Sequence, residues 1–179
     1  MSKSSFKNRI IRAAMLDSNL YEEVEADKSA QGQAMTIVVL ASIAAGIGLY
    51  KTGGLSGIIT GTMASLIGWY VWAFLTYFIG TKFLPEPQTK ADLGELLRTI
   101  GFASSPGLLR VFYFIPGIGV LLYLISSLWM LIAMIIAVRQ ALDYDSTLRA
   151  IGVCVISYIF QIFILVLIFS IFGGTLPKG

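Results

Sequence analysis

Six polar side chains stand inside otherwise apolar stretches of this sequence, and they offer most of its chemistry. They are Arg98, Ser104, Ser105, Arg110, Arg139 and Gln161. A guanidinium in an apolar setting can hold a phosphate, while hydroxyl and amide groups can line a polar pocket or bond to another helix. We therefore interpret these six as candidate lipid- or substrate-contacting residues.

The arginines and the glutamine also have plainer interpretations. Arg98 and Arg139 lie near the ends of apolar stretches, where a long side chain reaches lipid phosphate without forming a dedicated site. Arg110 follows Pro106 by four residues in apolar sequence, so it is either an interface anchor or a phosphate clamp between helices. Gln161 lies near the middle of the last apolar stretch, where an amide simply bonds to a neighbouring helix.

The residue counts remove most other chemistry. The chain has no histidine, and its single cysteine, Cys154, lies in an apolar run that is typical of a small buried hydrophobe. No nucleophile and base are paired, and no phosphate loop or metal-ligand spacing occurs. We therefore predict no catalytic residue, no cofactor and no metal site, and a protein that is not an enzyme.

Composition indicates a membrane protein. Of 179 residues, 56% are hydrophobic and 13% are charged, and the mean hydropathy is +0.81. An average soluble domain is about 25% charged. A water-soluble globule of this size has too much surface to hide so many apolar side chains. We predict an all-α integral membrane protein, and we expect no nucleic-acid partner.

Five apolar segments are predicted to be transmembrane helices of one bundle. They run over about 34–50, 55–80, 96–114, 119–138 and 148–172. The third contains Pro106, which removes a backbone hydrogen bond, so we predict a helix kinked there or a re-entrant pair of half-helices. Pro116 is a second predicted kink, before the fourth span. The five-span domain covers 34–174.

Residues 1–33 are predicted to be a separate cytoplasmic amphipathic segment. Apolar residues such as Phe6, Ile10 and Ala14 recur every four positions, with the basic residue Lys3 before them and the basic residues Lys7, Arg9 and Arg12 between them. This spacing is typical of a short helix lying on an anionic membrane surface. The alternative is a frayed basic terminus.

Two helix starts follow from capping residues. Asn19 can cap a helix, with Glu22 three residues later. Asp92 can cap another, with Glu95 at the same spacing.

The distribution of charge predicts orientation. With five spans, ten Lys or Arg lie on the side of the N-terminus and three on the other side, and all ten acidic residues share the basic side. Positive residues favour the cytoplasm. We predict a cytoplasmic N-terminus and an external C-terminus.

Gly57, Gly61 and Ser65 are small residues at four-residue spacing, so they are candidate helix-packing positions within the bundle or between protomers.

Five short motifs follow one another along the chain. They are LYEEVEAD at 20–27, LLRTIGFASSPGLL at 96–109, IPGIG at 115–119, VRQAL at 138–142 and TLRAI at 147–151. In this order and spacing they resemble the prokaryotic branch of the Yip1-domain family over about 16–172. The resemblance implies a five-helix bundle in the cell membrane of a prokaryote. Eukaryotic relatives associate with small GTPases, but this chain lacks their long acidic N-terminal region, so we do not expect that role.

The function we expect is non-enzymatic organisation of lipids or partner proteins. The expected partners are membrane lipids and a second copy of the chain or a related membrane protein. The alternative is a small channel, carrier or lipid scramblase that uses the polar, kinked third segment.

Overall fold

The structure, a computed structural model, describes residues 5–48 and 50–172, except for the side chains of 48, 50–53, 168, 169, 171 and 172. All regular elements in these residues are helical. The α-helices are α1 Phe6–Ala14, α2 Ser18–Ala26, α3 Gln31–Gly48, α4 Tyr50–Phe78, α5 Leu93–Ala103, α6 Gly119–Ala141 and α7 Thr147–Phe172. Lys28–Ala30 and Ser105–Phe114 form 3-10 helices, and Ile79–Phe83 forms a π-helix.

Four helical stretches of the described chain are long and apolar enough to cross a membrane. They are Lys28–Ile47, Gly54–Phe83, Gly119–Ala141 and Thr147–Leu167. A spanning helix needs about 20 predominantly apolar residues, and each of these stretches provides them. The prediction of an all-helical chain with several apolar spans is thus confirmed.

The predicted third span, 96–114, is not one helix. The α-helix α5 ends at Ala103, and a 3-10 helix of 10 residues begins at Ser105, with Pro106 in its first turn. Neither piece alone has the length of a span. The predicted count of five spans is therefore not confirmed. The predicted domain division at residue 33 also stays a prediction, and its ends, 1–4 and 173–174, lie outside the described residues.

Close glycine contacts fix the path of this broken segment. A Cβ on Gly101 would lie 2.7 Å from the Ala34 Cβ, and one on Gly107 would lie 3.2 Å from the Ala41 Cβ. Since both pairs advance in the same direction, the segment runs parallel to α3. The Ser126 hydroxyl of α6 donates to the Pro106 carbonyl at 2.8 Å, so a backbone group exposed by the helix break is satisfied inside the protein.

The helices α1 and α2 form a hairpin that packs onto the bundle. Its buried apolar residues share one core with residues of α3, α5 and α6. The members of this core include Ala13, Leu20, Tyr21, Val24, Ile37, Phe102 and Ala133. The Trp129 indole N–H donates to the Ala14 carbonyl at 2.7 Å, which joins the end of α1 to the middle of α6. The described part of the N-terminal segment is therefore built into the membrane domain's core.

One predicted cap is confirmed and one is wrong. Asp92 caps α5, and the reciprocal bond from its own N–H to Glu95 completes a capping box. At α2 the cap is Asp17, whose carboxylate accepts from the Asn19 N–H at 3.0 Å, so Asn19 is inside the helix. Asp17 takes this place because its backbone is extended (φ −71°, ψ 107°), as a capping residue requires.

Two glycines turn the chain where the sequence predicted breaks. Gly54 interrupts α4 with φ 56° and ψ −158°, a conformation that side chains do not tolerate. After Pro116, Gly117 has φ 88° in the turn that precedes α6. The predicted break at Pro116 is therefore a turn between the 3-10 helix and α6.

Candidate functional site

A pocket of about 620 Å³ opens at one end of the bundle, where α2, the start of α5 and the α6–α7 loop meet. Ligand pockets commonly measure about 300–1,000 Å³. Its lining is polar and consists of Glu22, Glu25, Ala26, Glu95, Arg139, Gln140, Asp143, Tyr144 and Asp145. Five carboxylates face one guanidinium, and we call this end of the bundle the acidic end.

Arg98 holds one wall of the pocket in place. Its side chain is only 5% exposed, and its Nε donates to the carbonyls of Val24 at 2.9 Å and Glu25 at 3.1 Å. These carbonyls belong to the last turn of α2, which has no helical partner for them and carries partial negative charge. Arg98 thus caps α2 and locks it to α5.

A second set of charges holds α1 against α2. Arg9 is 2% exposed and donates to Glu23 at 3.0 Å, to Gln33 at 3.0 Å and to Asp27 at 2.8 Å. Arg12 also pairs with Glu23. Buried charges need such partners, because desolvation of an unpaired ion is costly. Arg9 and Arg12, two of the basic residues that the sequence predicts on an anionic membrane surface, therefore stabilise the packing of α1 against α2.

The opposite wall belongs to the end of α6 and the loop after it. The Gln140 side-chain amide donates to the Glu22 carboxylate at 2.8 Å, which ties α6 to α2. The Arg139 guanidinium donates to the carbonyls of Tyr144 and Asp145, both at 3.1 Å. Arg139 therefore shapes the loop that closes the pocket.

Asp143 occupies a strained position in that loop. Its φ is 53°, and it follows the C-cap of α6, where glycine or asparagine is usual. The N–H of Asp143 bonds to the Gln140 carbonyl and that of Tyr144 to the Arg139 carbonyl, both at 2.9 Å, as in a Schellman motif. The unfavourable residue at this position places a carboxylate in the pocket lining.

Glu25 is the pocket carboxyl group most altered by its surroundings. Burial, together with the neighbouring carboxylates of Glu95, Asp143 and Glu22, raises the pKa of Glu25 to about 7, and burial is the largest of these causes. The Arg98 guanidinium lowers the pKa of Glu25, but its effect is smaller than that of burial or of each of the three carboxylates. Both burial and like charges disfavour the ionised form of an acid. The charge of the pocket therefore changes near neutral pH.

The segment after α4, residues 79–86, bonds to the α6–α7 loop that lines the pocket. The Tyr144 hydroxyl donates to the carbonyl of Gly80 at 2.9 Å or of Leu84 at 2.8 Å, and burial raises its pKa to about 12. Glu86 accepts from the Asp145 N–H at 2.8 Å, and this bond lowers the pKa of Glu86. The α6–α7 loop is thus anchored on both sides.

The match to a known family comes from the sequence as a whole. The Yip1 domain, as a family model, matches residues 18–169. The chain belongs to the Yip1 family. The match starts at the first residue of α2 and ends within α7, so the Yip1 domain includes the acidic pocket. The resemblance inferred from the motifs is confirmed at the level of the family. No curated protein and no solved structure matches the chain.

The two predicted serines of this Yip1 domain are used internally. Ser104 and Ser105 are buried, and their hydroxyls donate to the carbonyls of Ile100 at 3.2 Å and Phe102 at 2.6 Å. Serines at a helix break commonly satisfy backbone groups in this way. They support the end of α5.

The other predicted residues lie in separate places. Arg98 and Arg139 lie at the acidic end and bind main-chain carbonyls. The Gln161 amide of α7 donates to the Gly68 carbonyl of α4 at 3.4 Å, as expected for a bond between helices. Arg110 lies between the 3-10 helix and α6, bonded to Ser127. The six candidates do not form one site, and a contact of each with lipid or substrate stays a prediction.

The candidate helix-packing positions face outward in the single chain. A Cβ added at Gly57 or at Gly61 would meet nothing within 4 Å, and Ser65 is exposed. Their packing role stays a prediction that concerns a neighbour outside this chain.

The pocket itself was not predicted from the sequence. Its acids come from three polar segments far apart in the chain, and the prediction that all acids share one side of the membrane was the only signal for it. Among the described residues, no group of three or more His, Cys, Asp or Glu is arranged to hold a metal ion.

Proposed function

We propose that this Yip1-family protein is a non-enzymatic protein of a prokaryotic cell membrane that organises partner proteins or lipids, and that a partner docks at the acidic pocket. The observation that carries the proposal is the construction of that pocket. Its walls are fixed by Arg98, Arg139 and Gln140, and it lies where polar segments of three elements meet. A surface built this firmly suits recognition, because little ordering is needed on binding.

The charge of the pocket specifies the chemistry of the partner. Five carboxylates against one guanidinium attract a lysine or arginine side chain of another protein. A second copy of the chain carries exposed bases at this end, among them Lys82, Lys90 and Arg149. A homo-oligomer, or a related membrane protein with similar bases, is therefore the partner we propose.

We place the acidic end in the cytoplasm and count the broken third segment as membrane-embedded. The excess of Lys and Arg on this side supports the orientation. The α5 helix has 11 residues and the following 3-10 helix has 10. Together they rise about 35 Å, and a bilayer core is about 30 Å thick. This length supports a five-segment bundle with an external C-terminus, although residues 173–179 are outside the described part.

Transport through the bundle, as a channel, carrier or scramblase, is the second candidate. It is favoured by buried nitrogen atoms without a hydrogen-bond partner, namely Nε of Arg110 and Nε1 of Trp69 and Trp72. Against it, the bonded partners of Ser104, Arg110 and Gln161 lie on different helices. Ion-flux and lipid-scrambling assays in liposomes test this candidate, and measurable flux by the folded protein would favour it over docking.

Photo-crosslinking in the native membrane tests the docking proposal. A photoreactive residue replaces Ala26, which lines the pocket, in the full-length chain, and the same residue at exposed Ile118, at the opposite end of α6 from the pocket, is the matched control. We expect one product from position 26, identified by mass spectrometry as a second copy or another membrane protein, and its loss in Glu22→Lys. Equal products from both positions, or a product unchanged by Glu22→Lys, would contradict docking at the pocket.

A further inference from the structure

Among the candidate residues that the structure describes, Arg110 is the arginine that keeps a buried nitrogen without a hydrogen-bond partner. Its Nη2 donates to the Ser127 hydroxyl at 3.1 Å, and its guanidinium carbon lies 5.0 Å from the centre of the Tyr123 ring. Its Nε is buried and has no hydrogen-bond partner. Within the described residues, no carboxylate forms an ion pair with Arg110.

The acidic pocket is too far away to supply the missing counter-charge. Between Ser127 and Ala141 the helix α6 rises about 20 Å. Screening in physiological salt reduces interactions between exposed charges beyond about 8 Å. Arg110 therefore behaves as a local positive charge in an apolar part of the bundle.

The guanidinium also does not extend toward the nearest end of the bundle. The 3-10 helix and α6 run antiparallel, because Tyr113 packs on Gly119 and Pro106 bonds to Ser126. Along the bundle axis, Arg110 lies between the Pro106–Ser126 contact and the Tyr113–Gly119 contact. Its guanidinium nevertheless bonds to Ser127, which lies on the side away from the Tyr113–Gly119 end. An arginine that merely reached for the membrane surface would point the other way. Here the position is fixed by bonds to α6.

The surroundings of Arg110 orient its guanidinium and leave it open to lipid. Ser127 donates its own hydroxyl proton to the Tyr123 carbonyl at 2.8 Å, so its oxygen lone pair is free to accept from Arg110. The Tyr123 ring is held edge-on by Tyr113, with ring centres 5.7 Å apart. Tyr123 is 40% exposed, and its neighbour Leu124 is 59% exposed, so this flank faces the membrane.

We propose that Arg110, with Ser127 and Tyr123, binds a phosphate group, supplied by the headgroup of an anionic membrane lipid. A planar guanidinium matches phosphate geometry and bonds to it with charge-assisted hydrogen bonds. A charge inside an apolar region draws headgroups and water toward itself, and a bound phosphate supplies the missing counter-ion. This site lies away from the acidic pocket, so it goes beyond the proposed docking function and can fail independently of it.

Native mass spectrometry of the full-length protein tests the proposal. The probes are dioleoyl-phosphatidylglycerol and dioleoylglycerol, which have the same acyl chains but differ in the phosphoglycerol headgroup. We expect Arg110→Gln to weaken phosphatidylglycerol binding by about tenfold or more, and Arg110→Lys to weaken it less. Dioleoylglycerol binding should not change. The matched control is Arg149→Gln, the same substitution at an exposed arginine of the acidic end.

Three results decide the outcome. Equal phosphatidylglycerol binding by the wild type and Arg110→Gln, or an equal loss in Arg149→Gln, would overturn the proposal. A third result is thermal stabilisation by inorganic phosphate that depends on Arg110, without lipid binding. It would show a phosphate site for a soluble ligand and would overturn the proposal that a lipid headgroup supplies the phosphate. If Arg110→Gln does not fold, Ser127→Ala keeps the charge and should still weaken lipid binding by about threefold through the lost orienting bond.

Discussion

Arg98 on α5 donates its Nε hydrogen to the main-chain carbonyl of Val24, 2.9 Å away in the last turn of α2. The sequence alone suggested lipid or substrate as the partner of this arginine. Its observed partners are instead the free carbonyls of another helix, so the side chain joins two parts of the fold. The N-terminal hairpin and the acidic pocket both depend on this joint.

Removal of the Arg98 guanidinium should release the hairpin. Arg98→Met keeps most of the side-chain volume but leaves the carbonyls of Val24 and Glu25 without donors, at a cost of about 2–3 kcal/mol. We expect a lower melting temperature and faster proteolysis within α1 and α2 in detergent. Lys82→Met, at an exposed position, is the control and should change neither. Unaltered proteolysis of Arg98→Met would show that the hairpin is held by other contacts.

Stability should fall as pH rises from about 5 to 8 because of Glu25. The folded-state pKa of Glu25, about 7, lies above its ordinary value of 4.5. The folded protein therefore holds a proton that the unfolded chain has released, and the stability from this group is complete below pH 4.5 and is lost as pH rises through about 7. With allowance for solvent screening, the loss is about 1–2 kcal/mol. Glu25→Gln should flatten the dependence and raise the melting temperature at pH 8.

A second variant separates this effect from other acids. Asp143→Asn tolerates the positive φ and removes one charge that raises the pKa of Glu25, so the transition should move to lower pH. Asp17 acts in the opposite direction, since its hydrogen bond from Arg12 lowers its pKa, and its contribution is lost only below about pH 4. A pH profile of melting temperature that is the same in wild type and Glu25→Gln would contradict the assignment.

Gly101 should not tolerate a side chain. Its added Cβ would lie 2.7 Å from the Ala34 Cβ and 3.1 Å from the Ala34 carbonyl oxygen, and a backbone atom cannot move aside easily. We expect Gly101→Ala to cost about 1–3 kcal/mol. Gly32→Ala, at a helical position with nothing within 4 Å, should be neutral or stabilising by up to about 1 kcal/mol. Thermal unfolding compares the two, and equal effects would mean that α3 and the third segment are not in close contact.

The open glycine face of α4 gives a test of self-association. Gly61→Leu adds bulk where the single chain has nothing within 4 Å, so the fold itself should be unaffected. If a second copy packs there, the variant should run as a smaller species in light scattering of the purified protein. Val155→Leu, which adds bulk to an exposed face of α7, is the control. An oligomer that persists in Gly61→Leu would exclude this face as the interface.

The sequence predicted the helices well because their signals are local. Long apolar runs gave the four candidate spans, and Asp92 with Glu95 gave the start of α5. The break at Pro106 was visible because proline cannot continue a helix hydrogen-bond pattern. How the chain continues there, as a 3-10 helix packed between α3 and α6, depends on contacts with residues distant in sequence.

The partners of charged residues were the part that local patterns could not provide. The sequence predicted Arg9 as a base that faces lipid. Its side chain is instead only 2% exposed and bonds to Glu23, Asp27 and Gln33. These partners come from the next two helices, and no spacing rule within α1 identifies them. The pocket is unpredictable for the same reason, since Glu25 and Asp143 meet only after the hairpin folds back.

Docking of α2 on the bundle is the claim on which the pocket and its proposed partner both depend. Hydrogen exchange of the full-length protein in lipid nanodiscs measures it directly. The account predicts that the amides of Leu20 to Ala26 exchange at least about a hundredfold more slowly than the amide of exposed Gln88 in the loop before α5. Exchange of α2 as fast as that loop would contradict a docked hairpin, and with it the acidic pocket.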